Sequence, residues 1–343
     1  MDVASPTPRV DDDRLRDRFG RPIDYLRISL IDTCNFRCVY CMPEDGLKFL
    51  KSDKLLRPEE IERVARAAIG VGFRKIRLTG GEPTLRPDVI EIVERLAALD
   101  GLRDLAMTTN GVRLVGLAAP LARAGLRRVN VHVDSLDPQT LPAIMRRGTL
   151  DAILAGIAAA EAAGLTPIKL NVVVARSYND ERDVIDLAAL SLEKPWTVRF
   201  IELMPLGTRE PAAVAIASFV SNEVTKARIE EALGPLLPEG SDHESDEAVN
   251  YRFEGAPGRV GFISPVSRPY CGTCNRLRLT ADGRLHLCLL HDDEVNLAGA
   301  IRRGDSDEDL QRYLAAAVGL KPTGHALAEG VHVQGRQMFQ LGG

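Results

Sequence analysis

The stretch Tyr25-Leu26-Arg27-Ile28-Ser29-Leu30-Ile31-Asp32-Thr33-Cys34-Asn35-Phe36-Arg37-Cys38-Val39-Tyr40-Cys41 runs a strand into a cysteine loop. Leu26, Ile28 and Leu30 alternate with Arg27 and Ser29, the period-two pattern of a strand. The cysteines that follow have C-x3-C-x2-C spacing. Three thiols of this kind can converge on one inorganic centre, yet structural zinc and the common iron–sulfur clusters take four protein ligands. Three thiolates on a four-iron cluster leave one iron open to an outside ligand. A zinc site completed by a distant histidine, or three unrelated buried thiols, are the alternatives.

Outward from this loop the chain alternates. Strands are expected at Lys75–Thr79, Asp104–Thr109, Arg128–Asp134, Ile168–Val174 and Thr197–Leu203, with helices at Glu59–Val71, Arg86–Leu99, Leu114–Ala124, Leu150–Ala163 and Asp180–Leu192. This is an α/β pattern, which predicts parallel strands joined by right-handed crossovers. Its six repeats fall two short of a closed barrel, so a partial (β/α)6 barrel with an open side is expected, and an open doubly wound sheet is the alternative. In both, chemistry gathers at the C-terminal ends of the strands, where the cysteine loop begins.

Residues 1–20 read as a mobile leader, 21–235 as the barrel and 236–248 as a polar, acidic linker. A smaller C-terminal α+β domain over 249–343 is expected to close the open side. It carries Cys271-Gly272-Thr273-Cys274 and then Cys288, again one ligand short, with His286 or His291 as possible zinc ligands. Arg276 and Arg278 alternate on the strand between, on one face, and guanidinium forks beside a metal centre suit an anion such as phosphate.

Composition sets the class. Of 343 residues, 45% are apolar and 27% charged, with a net charge of −4, which is ordinary for a soluble globular chain. No apolar run approaches the roughly 18 residues of a membrane span. Neither nucleic acid nor membrane is an expected partner. The six cysteines fall into two triplets, and the start has no apolar core of a secretory signal, so a reducing cytoplasm and two inorganic sites are expected.

Cys34 to Cys41, with an aromatic before the last cysteine, resembles the signature of the radical S-adenosylmethionine (SAM) superfamily, and Gly80-Gly81-Glu82-Pro83 resembles its GGE motif. The second triplet with Arg276 and Arg278, the TTNG at 108–111, the RFIELMPLG at 199–207 and the terminal Gly342-Gly343 narrow the resemblance. From about Arg21 to Gly343 the chain resembles the GTP 3′,8-cyclase family of molybdenum cofactor biosynthesis.

That resemblance implies a lyase converting GTP into 3′,8-cyclo-7,8-dihydro-GTP. Cys34, Cys38 and Cys41 would hold a first [4Fe–4S] cluster that binds SAM, and Cys271, Cys274 and Cys288 a second that meets the guanine. Tyr40 (through its backbone), Gly81, Glu82, His132 and Met204 match SAM-binding positions. Arg27, Arg77, Thr108, Lys169, Arg276 and Arg278 match GTP-binding positions, and Gly342 and Gly343 would reach into the active site. The family usually has Ser where this chain has His132; an imidazole can hydrogen-bond there with either ring nitrogen, or it packs and the contact moves to a neighbour. A homodimer, and coupling to the cyclic pyranopterin monophosphate synthase that takes the product, are also implied. Two other readings remain. One is a peptide-modifying radical SAM enzyme with an auxiliary cluster, although such enzymes usually carry a further cysteine and this chain has none after Cys288. The other is a non-catalytic zinc or iron–sulfur interaction module.

Overall fold

The computed structural model describes residues 9–11, 14–45, 47–206, 210–240, 247–325, 327 and 335–342. Strands Tyr25–Ser29, Lys75–Thr79, Asp104–Thr109, Arg128–His132, Lys169–Val174 and Thr197–Glu202 stand side by side in chain order, all parallel. The helices between them, among them Pro58–Gly70, Val89–Ala97, Leu114–Arg123, Leu150–Ala162 and Arg182–Glu193, return the chain along the outside. Each strand divides its side chains between two environments. Leu26, Ile28, Ile76, Leu78, Val129, Val131, Leu170, Val172, Val198 and Phe200 are fully buried in the core shared with the helices. Burial of one such side chain stabilises the fold by roughly 1.5–3 kcal/mol. The alternate positions, including Arg27, Arg77, Asn130, Asn171 and Arg199, form the inner wall. The barrel is therefore apolar outside and polar inside.

The C-terminal segment extends this sheet at both edges. Arg276–Leu279 pairs in parallel with Tyr25–Ser29, and Arg259–Ile263 in parallel with Thr197–Glu202. Eight parallel strands result, two more than the chain's alternation of strand and helix shows. The two outermost of these do not pair with each other among the described residues, so the barrel stays open between them. Arg284–His286 and Glu294–Asn296 continue one edge in antiparallel fashion, and Val249–Arg252 and Leu237–Glu239 the other. Helices Thr140–Met145 and Asn222–Leu233 are absent from the sequence reading. The first contains Pro142, and the second buries Asn222 and Thr225 beside Ile229, so neither shows a clean apolar stripe. A capping box of Ser306 and Asp309 starts helix Asp307–Leu320.

Candidate active site between two cysteine triplets

The first triplet leaves the C-terminal end of strand Tyr25–Ser29. Its loop rests on Gly80 and Gly81, where a Cβ would lie 2.3 Å from the carbonyl oxygen of Ile31 and of Thr33 respectively. Only glycine permits this approach, and Gly80 also has φ +150. Glu82 is buried next to them. Its Oε1 accepts from Thr84 N (3.0 Å), Thr84 Oγ1 (2.5 Å) and Thr109 Oγ1 (2.7 Å), and its Oε2 accepts from Asn110 N (2.7 Å). The carboxylate thus ties two strand ends together and keeps lone-pair capacity on Oε2 for one further donor. Burial, and then Glu82, push the Cys34 thiol up to about 11. Burial also raises Cys38 and Cys41. These sulfurs become thiolates readily only beside a strong positive centre, as metal ligation supplies.

A cavity of about 200 Å³ opens from this loop, lined by the three cysteines, Gly81, Thr108, His132 and Met204. His132 Nε2 lies 2.5 Å from Tyr40 Oη and 2.9 Å from Asp134 Oδ2, and Tyr40 Oη donates to Asp134 Oδ2 at 2.5 Å. Asp134 is fixed in turn, its Oδ1 accepting from Val173 N at 2.8 Å. The Tyr40 side chain and one ring nitrogen of His132 are therefore engaged with each other and with Asp134.

Behind this cavity the inner wall is cationic. Arg27, Arg77, Arg199, Arg276 and Arg278 are each 5–7% exposed. Burial first, then the neighbouring arginines, push Arg199 and Arg278 down to about 9 and Arg77 to about 10. Arg199 donates to Asn171 Oδ1 at 2.7 and 3.1 Å. Arg27, Arg77 and Arg276 each place the guanidinium 5.5–5.7 Å from the Tyr25 ring centroid. Against this stands Glu247, which pairs with Arg27 at 2.7 Å, with Arg77 at 3.9 Å and with Arg276. The Nε atoms of Arg27 and Arg77 and the Tyr25 hydroxyl remain buried without a partner. A buried donor left so costs about 1–3 kcal/mol, and the three together mark a place for an acceptor-rich anion. A wider cavity of about 800 Å³ adjoins, lined by Tyr25, Lys75, Arg77, Lys169, Arg199 and Arg276 among others.

The second triplet lies across the arginines. Cys271, Cys274 and Cys288 line a third, smaller cavity with Arg276, Arg278 and Met204. Arg21 holds this loop from beneath, donating to the carbonyls of Cys271 (2.7 Å), Thr323 (2.9 Å) and Pro322 (2.6 Å) while pairing with Asp17 (2.6 Å). The two histidines considered as a fourth zinc ligand are turned to other partners. His286 Nε2 lies 2.9 Å from Glu294 Oε2, and His291 Nε2 donates to Gly324 O at 2.9 Å.

The chain end enters the same region. Phe339 and Met338 line the cavity beside the first triplet, and the Gly342 carbonyl accepts from Arg278. Gly342 has φ +76, and a Cβ there would lie 2.4 Å from Thr79 Cγ2. Gly343 lies outside the described residues.

Two family models match the chain. The model of the radical SAM superfamily matches residues 28–188, and that of molybdenum cofactor synthesis C matches 196–327. The GTP 3′,8-cyclase of Moorella thermoacetica is 46% identical over 329 residues, 96% of this chain and 100% of its own length. The chain belongs to the GTP 3′,8-cyclase family. The GTP 3′,8-cyclase of Pseudomonas syringae is 44% identical over 333 residues, covering 96% of this chain and 98% of its own. Among solved structures, Streptococcus suis SuiB bound to S-adenosylmethionine covers 87% of this chain and 69% of its own, with TM-score 0.58 and 12% identity, a likeness of fold alone. Family membership brings SAM and a [4Fe–4S] cluster, and a three-cysteine loop on a backbone cradle that excludes side chains fits both.

Sequence reasoning missed Lys75, Arg199, Tyr25 and Glu247. Lys75 and Arg199 carried a signal, since Lys75 shares its strand phase with Arg77 and Arg199 alternates with the apolar Val198 and Phe200. Glu247 carried none, because an acidic run after a helix reads as solvated linker.

Proposed function

We propose that this chain is a radical SAM GTP 3′,8-cyclase that makes 3′,8-cyclo-7,8-dihydro-GTP, the first step towards molybdopterin. The observation that carries the reading is the run of five buried arginines between two cysteine triplets. A triphosphate of about four negative charges is the anion such a wall is built for, since guanidinium forks bind phosphate bidentately. A peptide without acidic side chains would bring no anion to pair with those guanidinium groups.

In this reading Cys34, Cys38 and Cys41 hold the SAM-binding cluster, and the backbone at Tyr40 and Gly81, with Glu82, His132 and Met204, receives SAM. Cys271, Cys274 and Cys288 hold a second [4Fe–4S] cluster facing the base. When bound, the first cluster and SAM supply a 5′-deoxyadenosyl radical, the agent for removing the 3′ hydrogen before C3′ joins C8. The chain's own residues do the rest. Arg27, Arg77, Lys169, Arg276 and Arg278, joined by Lys75 and Arg199, fix the triphosphate, and Thr108 orients the nucleoside. Gly342 closes the cavity over Arg278 and excludes water, and the Cβ-free backbone at Gly80 and Gly81 keeps SAM close to the cysteine loop. This is positioning rather than acid–base chemistry.

A homodimer, coupling to the synthase that consumes the product and a cytoplasmic location belong to the same proposal. No helix among the described residues is long and apolar enough to cross a membrane. The test is anaerobic incubation of the reconstituted protein with SAM, dithionite and GTP, with mass analysis of the nucleotide and metal analysis beside it. The cyclised nucleotide and about eight iron per chain are expected, two four-iron clusters. Consumed SAM with intact GTP would reject the substrate, and about four iron would reject the second cluster.

A further inference from the structure

We propose that Lys321 is a positioning residue of the second cysteine triplet, one that sets the spacing of its two arms and supplies a buried positive charge to the cluster they hold. The proposal rests on the second-cluster reading above. Lys321 is only 2% exposed, and it lines the cavity that Cys271, Cys274 and Cys288 share. Its ammonium donates to Arg276 O at 2.9 Å and to Leu287 O at 2.7 Å. Arg276 follows Cys274 by two residues and Leu287 immediately precedes Cys288, so one ammonium clamps the two backbone arms that deliver these sulfurs.

The charge itself has no counterpart. Among the described residues the Lys321 ammonium has these two carbonyl partners and no carboxylate. A fully buried ammonium is several kcal/mol costly unless an anion compensates it. The group that fits is one of net negative charge at the triplet, as three thiolates on an iron–sulfur core provide. The placement of Lys321 is over-determined. Helix Asp307–Leu320 stops one residue before it, Pro322 follows, and Arg21 grips the carbonyls of Pro322 and Thr323. Such an investment in fixing one lysine beside the cysteines exceeds what a hydrogen-bonding clamp alone requires. Because reduction adds an electron to an already anionic cluster, a fixed cation beside it favours the reduced form.

The test uses full-length protein in which Cys34, Cys38 and Cys41 are alanine, so that only the second triplet can be loaded. Lys321→Met and Lys321→Arg are made in that background, reconstituted with iron and sulfide, and titrated with dithionite while the paramagnetic signal is followed. Lys321→Met is expected to hold iron while its reduction equilibrium weakens at least tenfold, about 59 mV more negative for a one-electron couple. Lys321→Arg is expected to recover most of that shift. Loss of iron in the Met variant with retention in the Arg variant would also support the charge role. An unchanged potential in Lys321→Met overturns the proposal, as does equal loss of iron in both variants, which would leave a clamp and nothing more. If the parent with intact Lys321 takes up no iron, the second-cluster reading itself falls, an outcome distinguishable from failure of the lysine proposal alone.

Discussion

Glu247→Gln separates two roles that Glu247 has in the substrate-free protein. Its carboxylate meets Arg27 at 2.7 Å, Arg77 at 3.9 Å and Arg276, with its side chain 12% exposed. At an effective dielectric near 20, each contact of about 4 Å is worth roughly 4 kcal/mol before desolvation. Removing one partner of a buried pair, which leaves the other charge uncompensated, costs about 3–5 kcal/mol. Gln keeps the shape and loses the charge, so the substrate-free protein should lose stability by about that amount. At roughly 2 °C per kcal/mol for a large domain, the melting temperature should fall by roughly 6–10 °C. The same carboxylate occupies the ground on which the triphosphate is proposed to bind, and an anion arriving there must displace it. GTP should therefore bind Glu247→Gln more tightly, by tenfold or more if about 1.4 kcal/mol of the lost pairing reappears as affinity. Differential scanning fluorimetry with and without GTP, together with calorimetric titration, reads both effects. A variant with lower stability and weaker GTP binding would refute the reasoning, because it would make Glu247 a substrate contact. An unchanged melting temperature would show that the three ion pairs carry no energy.

Three further outcomes follow from the same wall. Arg276→Ala and Arg278→Ala should each weaken GTP binding by about 1.5–3 kcal/mol, the value of a hydrogen bond to a charged group, while SAM cleavage in the absence of GTP persists; equal loss of SAM cleavage would place them at the other cofactor. The Tyr25 phenol is buried, which raises it, but Arg27, Arg77 and Arg276 bring it down to about 8 from 10; the unfolded chain therefore holds its proton to higher pH, so stability of the substrate-free protein should rise from about pH 8 to 10, and urea titrations of Tyr25→Phe should lose that rise. Gly342→Ala should lower cyclisation at least tenfold without changing iron content, because its Cβ would meet Thr79 Cγ2 at 2.4 Å in a backbone at φ +76; an active Ala variant would mean that the chain end is not held there during turnover.

How much was legible depended on which interaction fixed each element. The inner barrel was readable because its strands alternate strictly and its helices carry apolar stripes, as in Ile61, Val64, Ala65 and Ala68. The spacing of the first triplet was readable because it lies within one loop, whereas Cys288 reaches Cys271 and Cys274 only through the hairpin of Arg276–Leu279 and Arg284–His286. The two extra parallel strands were not, since Arg259–Ile263 and Arg276–Leu279 have the same pattern whether they form a separate sheet or extend a barrel edge. Nor was the engagement of Glu82, whose partners Thr109 and Asn110 lie on another strand end. Glu202 was hidden for the same reason. It is fully buried, accepting from the main-chain N–H of Asn222, Val266 and Ser267, and so fixes the approach to the second triplet through contacts far apart in sequence.

The register of one strand pair sets the arginines between the two cysteine loops. Arg276 is opposite Tyr25 and Arg278 opposite Arg27 in parallel strands. Cys274 therefore precedes its strand at the end where Tyr25 begins, whereas Cys34 follows Ser29 at the other end. Arg284–His286 runs antiparallel, with His286 opposite Arg278, which brings Cys288 back to the level of Arg276, two residues from Cys274. The two loops thus leave one strand pair at opposite ends, while the cavities they line share Met204, Tyr270 and Arg278. Arg27, Arg77, Arg276 and Arg278 line the cavities between the loops, and an anion held on them would place the nucleoside it carries beside the triplets. A ligand with the charge but no nucleoside, such as free triphosphate, should bind the arginines and displace Glu247 yet bring nothing to either triplet. Inorganic triphosphate is accordingly expected to compete with GTP while supporting no turnover, and failure to compete would remove the arginines from the binding step.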